Sequence, residues 1–200
     1  LAAQDNLIKN HIVKSSHANW CLNLEELGQI QIEHDRGQSP EHVQKTVIQL
    51  LTDRGGSIDH LLGSLPELKQ SWLEPLLMHL GYRLESLSPA QQLETLENVA
   101  LFTLHVIERK QDQIIEEPCY LLIWAPNLSE FQDSLSTTKF QFIHNTLSDH
   151  GLWDSIITDG KNFMMNKRGS QLTRKTYDVI QALDDDIEFK QFLANYAYGV

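Results

Sequence analysis

Cysteine is scarce in this chain: there are two, Cys21 and Cys119, in 200 residues. Two thiols are no disulfide framework, and neither belongs to a C-x-x-C or C-x-x-H pair, so zinc-finger spacing is excluded. The expectation is a pair of buried thiols. Long apolar runs are missing as well. The longest strongly apolar stretch, Val99 to Ile107, falls far short of the ~20 residues a bilayer-crossing helix needs. Leu1 to Asn10 lacks the basic start and apolar run of a secretory signal, so a cytoplasmic protein is expected. Positive charge is also in short supply. Against 27 Asp and Glu stand 16 Lys and Arg, a net charge of −11. Nucleic-acid affinity comes mainly from Lys and Arg neutralising phosphates, so nucleic acid is a disfavoured partner, and anionic membranes are disfavoured on the same ground. A protein partner with a basic or amphipathic helical segment is the favoured one.

Catalytic signatures are absent too. Gly55-Gly56-Ser57 follows a helical pattern and lacks the strand, helix and lysine context of a phosphate loop, so it reads as a helix stop. There is no G-x-S-x-G elbow beside which Ser57 and His60 could act. Asp59-His60 and Asp149-His150 each set a carboxylate next to an imidazole, but adjacent residues on a helix do not face one another. The nine histidines form no H-E-x-x-H and no helical pair at spacing four. Asp184-Asp185-Asp186 lacks the spaced ligands and glycine turn of a calcium loop, and reads as acidic charge at a helix N-terminus. No catalytic, metal or cofactor residue is assigned on this basis, and no cofactor is expected.

What is present is a patterned, core-forming chain with 41% hydrophobic residues, enough to exclude general disorder. Strands are expected near Trp20–Asn23 and Gln29–His34, with Gly28 in the turn between them. Ser39 as cap, Pro40 in the first turn and a Val43/Val47/Leu50/Leu51 stripe predict a helix over Pro40–Arg54, stopped by Gly55 and Gly56. A short helical turn is expected from Ser57 through Leu62. Ser64 and Glu67 form a capping-box pattern ahead of a Leu68/Trp72/Leu76/Leu80 stripe ending at Gly81, with Pro75 kinking or splitting it.

Ser88-Pro89 predicts another helix. Val99 to Ile107 fits either its buried continuation or a strand; the spacing of Leu93, Leu96, Ala100, Leu104 and Ile107 favours one long helix. Cys119 to Ala125 is a buried strand. Asn127 and Glu130 predict a short helix through Leu135, and Lys139 to Thr146 fits both periods. Trp153–Thr158, Asp159-Gly160 and Phe163–Asn166 predict a hairpin. A helix opening at Ser170 carries Leu172, Tyr177, Ile180 and Leu183, and a last amphipathic helix carries Ile187, Phe189, Phe192, Leu193 and Tyr196. The sum is a single α+β domain over residues 1–200, with 126–138 as the place where it would divide. Five or six helices are expected to pack on a small, mostly antiparallel sheet.

Charge is segregated along the chain. Lys161, Lys167, Arg168, Arg174 and Lys175 lie within fifteen residues that hold no acid, while Glu85 to Asp133 carries nine acids against Arg109 and Lys110. The basic run, together with aromatic residues Phe192, Tyr196 and Tyr198 near the C-terminus, is the expected partner-binding surface. The functional expectation is a non-enzymatic adaptor, chaperone-like or regulatory subunit of a larger intracellular assembly, a secretion-system adaptor for example. The alternative is a hydrolase-like enzyme whose site is assembled from separated His and Asp or Glu residues. A third reading is nucleic-acid contact through Lys161–Lys175.

Overall fold

In the computed structural model the described residues are 39–87, 99–110, 113–129, 137–167 and 175–198. The strands expected at Trp20–Asn23 and Gln29–His34, the helix start at Ser88-Pro89 and most of the Asn127–Leu135 helix lie outside them. Helix α1, Pro40–Thr52, is capped by the Ser39 side chain accepting from the His42 N–H. It ends at Gly55 and Gly56, both with positive φ. The Leu68/Trp72/Leu76/Leu80 stripe forms α2, Leu65–Leu68, and α3, Glu74–His79, joined through a π-helical turn, Lys69–Leu73. Pro75 explains that turn. With no N–H of its own and a ring that crowds the preceding carbonyls, it widens the helix ahead of it, and the Glu74 N–H bonds back to the Lys69 carbonyl. Ser64 occupies the N-cap without a side-chain capping bond.

Six strands follow among the described residues: β1 Arg83–Ser86, β2 Ala100–Lys110, β3 Gln113–Trp124, β4 Asp154–Thr158, β5 Asn162–Lys167 and β6 Thr176–Asp178. They lie in sequence order across one sheet. All pairings are antiparallel except β3 with β4, which run parallel because helix α4, Thr137–Asp149, carries the chain back between them. Helix α5, Val179–Ala182, and helix α6, Asp186–Tyr196, close the described chain.

The sheet corrects the expected fold. In place of a small sheet there is a six-stranded mixed one, with helices on both of its faces. One core joins Val43, Leu68, Trp72, Leu76, Phe102, Leu104, Leu122 and Ile156 to the C-terminal aromatic residues. The other sets Leu101, Leu121, Ile123 and Ile157 against Ile143 and Leu147 of α4. Each central strand alternates between the two cores.

That two-sided burial explains the largest local correction. Val99–Ile107 is not the tail of a long helix; its residues enter β2. A strand buried on both faces is apolar all round, as a buried helix is, and its even residues match helical spacings by coincidence. Pairing with β3 over the full length of β2 decides the conformation. The helix expected from Ser170 is also revised. Residues 170–174 lie outside the described ones; among the described residues of that stretch Tyr177 lies in β6 and the helix is Val179–Ala182, which the Asp178 side chain caps by accepting from the Ile180 and Gln181 N–H groups. Lys139–Thr146 resolves as helix, inside α4. The hairpin forms with a wider connection than Asp-Gly alone: Thr158 faces Phe163, and Asp159 Oδ1 accepts from the N–H groups of Lys161 and Asn162.

Candidate functional site

The expected basic run does not assemble into one open patch among the described residues. Lys161 is held by Asp178, Nζ to Oδ2 3.4 Å. Lys175 lies over the Tyr177 ring at 4.2 Å and donates to Gln191. Lys167 ends β5, and Arg168 and Arg174 lie outside the described residues. Phe192 and Tyr196 are core residues in place of surface anchors. Both are buried, Phe192 packs edge-on to Phe163 at 5.6 Å, and the Tyr196 hydroxyl donates to the Phe163 carbonyl at 3.0 Å. Burial drives the Tyr196 phenol pKa up. Their helical spacing is that of a helix's buried stripe, which pattern alone does not distinguish from an anchor stripe. Tyr198 stays partly exposed, 6.4 Å from the Tyr82 ring.

A different set of residues converges, from three adjacent strands. On β1, Leu84 turns into the first core, so Arg83 and Glu85 point to the other face. On β2, Thr103 and His105 share that face, opposite Phe102 and Leu104. The third strand contributes Glu116 through an irregularity. Leu104 pairs with Tyr120 but His105 pairs with Pro118, so Cys119 is an extra residue in β3. Pro118 has no N–H to give to a ladder, and such residues are tolerated at bulges. The bulge bends β3 and brings Glu116 diagonally across to His105.

The contacts are short and mutual. His105 Nδ1 lies 3.0 Å from Glu116 Oε1, and Nε2 lies 3.1 Å from Glu85 Oε2 and 2.9 Å from Thr103 Oγ1. The Arg83 guanidinium donates to Glu116 through Nε, at 2.8 Å, and through Nη2, and its Nη2 is 3.6 Å from Glu85. The imidazole is largely covered, and Glu85 is about half exposed, so the cluster opens to solvent on the β1 side. Burial lowers the His105 pKa, the Glu116 and Glu85 carboxylates pull it up, and Arg83 and His150 add to the lowering. His150 lies in the turn after α4. An imidazole between two carboxylates can relay a proton, orient a polar group or share a cation.

The sequence reading missed this cluster. A helical assignment for Val99–Ile107 separates Thr103 from His105, whereas a strand puts them on one face. Alternation was the available signal: Arg83 and Glu85, and Thr103 and His105, are each two apart.

One other feature, the acidic helix start, sits where it was expected, while Cys119, expected buried, is only partly so. Asp185 caps α6, accepting from the Ile187 and Glu188 N–H groups. Cys119 is a free, half-buried thiol whose pKa is pushed up to about 12 by burial. Cys21 lies outside the described residues. Among the described residues no helix is long and apolar enough to cross a membrane.

The α6 entry adds a surface feature. Ile187 is 70% exposed, and Asp184, Asp185, Asp186 and Glu188 around it are exposed as well. Helix α1 packs nearby: Gln44 donates to the Leu183 carbonyl and to Asp186, and Lys190 pairs with Glu41 at 2.8 Å. Ile48, one turn along α1 from Gln44, is also exposed. Comparison with protein-family models, with curated proteins and with solved structures yields no match.

Proposed function

We propose that this protein is a non-enzymatic binding subunit, an adaptor, chaperone-like or regulatory component of a larger intracellular assembly, and that it receives a basic amphipathic helix. Ile187 is the observation that carries the reading. A large aliphatic side chain left 70% exposed in a stretch whose neighbours Asp184, Asp185, Asp186 and Glu188 are also exposed suits a partner that brings an apolar stripe flanked by Lys and Arg. The apolar contact supplies affinity at the centre, and the acidic rim steers approach and register. The net charge of −11 acts in the same direction.

A basic amphipathic peptide, followed by fluorescence anisotropy, tests this. Ile187→Ser is expected to weaken binding about tenfold, on the scale of an interface anchor, and to leave the melting temperature of the exposed position unchanged. Partners recovered under native expression and identified by mass spectrometry are expected to fall in parallel. Equal affinity for the variant and the parent would remove the proposal.

The second reading, a hydrolase-like enzyme with a site assembled from separated residues, is favoured by one observation: folding brings Glu85, His105 and Glu116 within hydrogen-bonding reach. It requires a turnover that is lost in His105→Ala with the fold intact. Nucleic-acid contact through Lys161–Lys175 receives less support, since Lys161 and Lys175 already have partners within the chain.

A further inference from the structure

The geometry points to a divalent transition-metal site at Glu85, His105 and Glu116, where β1, β2 and β3 lie side by side. One ligand atom from each of these residues lies within 4.8 Å of the other two. The donor set, one imidazole nitrogen with two carboxylate oxygens, is the chemistry of Zn²⁺, Mn²⁺ or Co²⁺; a calcium site uses oxygen alone. Bonds of about 2.0–2.2 Å in a tetrahedral shell place ligand atoms roughly 3.3–3.6 Å apart. Glu85 Oε2 lies 3.1 Å from His105 Nε2, close to that spacing. Glu116 Oε1 lies 3.0 Å from the other ring nitrogen, Nδ1, so it joins a metal on Nε2 by a turn of its side chain within the 4.8 Å cluster.

The second indication is the hydrogen count at His105. Both ring nitrogens face a carboxylate oxygen at about 3 Å. A neutral imidazole carries one N–H. If Nδ1 donates to Glu116, and the Thr103 hydroxyl donates to Nε2, the Glu85 oxygen beside Nε2 meets a lone pair with no hydrogen between them. A cation at Nε2 turns that repulsion into coordination.

Arg83 does not close the site. It engages Glu116 through Oε1, and an ionised carboxylate has about four lone-pair positions. With Arg83 the cluster carries one net negative charge when His105 is neutral, which a dication reverses to one positive. The half-exposed Glu85 side leaves room for water as the remaining ligand.

The test uses the full chain, freed of metal with chelator, titrated with zinc chloride by calorimetry and with cobalt chloride by visible absorption. One equivalent of zinc is expected to bind, with a raised melting temperature, and cobalt is expected to show the bands of a low-coordinate nitrogen and oxygen shell. His105→Gln and Glu85→Gln are each expected to weaken zinc at least tenfold. Glu85 is half exposed, so that variant keeps the fold and separates ligand loss from unfolding; circular dichroism checks this. Three results overturn the site: no saturable zinc binding, zinc binding that persists equally in both variants (which assigns it to other histidines), or a His105 ring found by NMR to be protonated on both nitrogens at neutral pH with zinc present.

Discussion

Gly160 shows how much one residue can carry here. It lies in the β4–β5 connection with φ of +105°, and a Cβ there would meet Leu68 Cδ2 at 2.8 Å. Its carbonyl accepts the buried Trp72 indole N–H at 2.7 Å. Turn, helix and core are thus joined at a position where only a hydrogen side chain fits. Gly160→Ala is expected to destabilise the protein by about 1–3 kcal/mol, from left-handed strain together with the clash. Urea denaturation reads this, and an unchanged midpoint would mean that the turn relaxes freely. In the sequence Asp159-Gly160 was legible as a turn. The approach of Leu68, ninety-two positions away, was not, because nothing local records which helix covers a hairpin. The same holds for Glu85, His105 and Glu116, whose chemistry is visible in one dimension and whose proximity depends on a bulge at Pro118.

At the scale of elements, caps and breakers were read directly and partner-dependent segments were not. Ser39, Pro40, Gly55 and Gly56 mark α1 by local chemistry. Asp178 is a cap that the helical stripe from Leu172 to Leu183 concealed: its side chain accepts from two N–H groups of α5 and also holds Lys161. Asp178→Ala is expected to cost about 1 kcal/mol. Asp178→Asn, which keeps the capping oxygen and loses the ion pair, is expected to cost less, since a partly exposed pair contributes little. Thermal melts of the two variants separate capping from charge; equal losses would assign the effect to Lys161.

Across the whole molecule, two cores on one sheet make burial of ionisable groups the rule in the interior. Burial raises the pKa of Tyr82, Tyr196 and Tyr120, and that of the Cys119 thiol to about 12. In each case the folded state holds its proton to a higher pH than the unfolded chain does. The unfolded chain therefore binds fewer protons above the ordinary thiol value of 9.0 and the ordinary phenol value of 10.0, so stability falls as pH rises. A melting temperature that declines steadily from about pH 9 upward is the expected outcome; a flat profile to pH 11 would place these groups in wetter surroundings than their burial indicates. The surface follows a different logic, with an exposed isoleucine set among acids on a chain of net negative charge.

By itself the sequence determined what local chemistry determines: the acidic balance, the lack of a membrane-length apolar run, the helix entries at Ser39 and within Asp184-Asp185-Asp186, the stop at Gly55-Gly56 and the hairpin around Asp159. Tertiary structure decided the rest. Whether Val99–Ile107 is helix or strand depends on β3, which lies beyond a turn. Whether Phe192 and Tyr196 face a partner or a core depends on β5 and β6. A small sheet became a six-stranded mixed one because strand count and order are set by pairing between distant segments, a long-range choice that periodicity within a window does not contain. For the same reason the low count of basic residues, visible at once, left unseen a place where a histidine, an arginine and two glutamates meet.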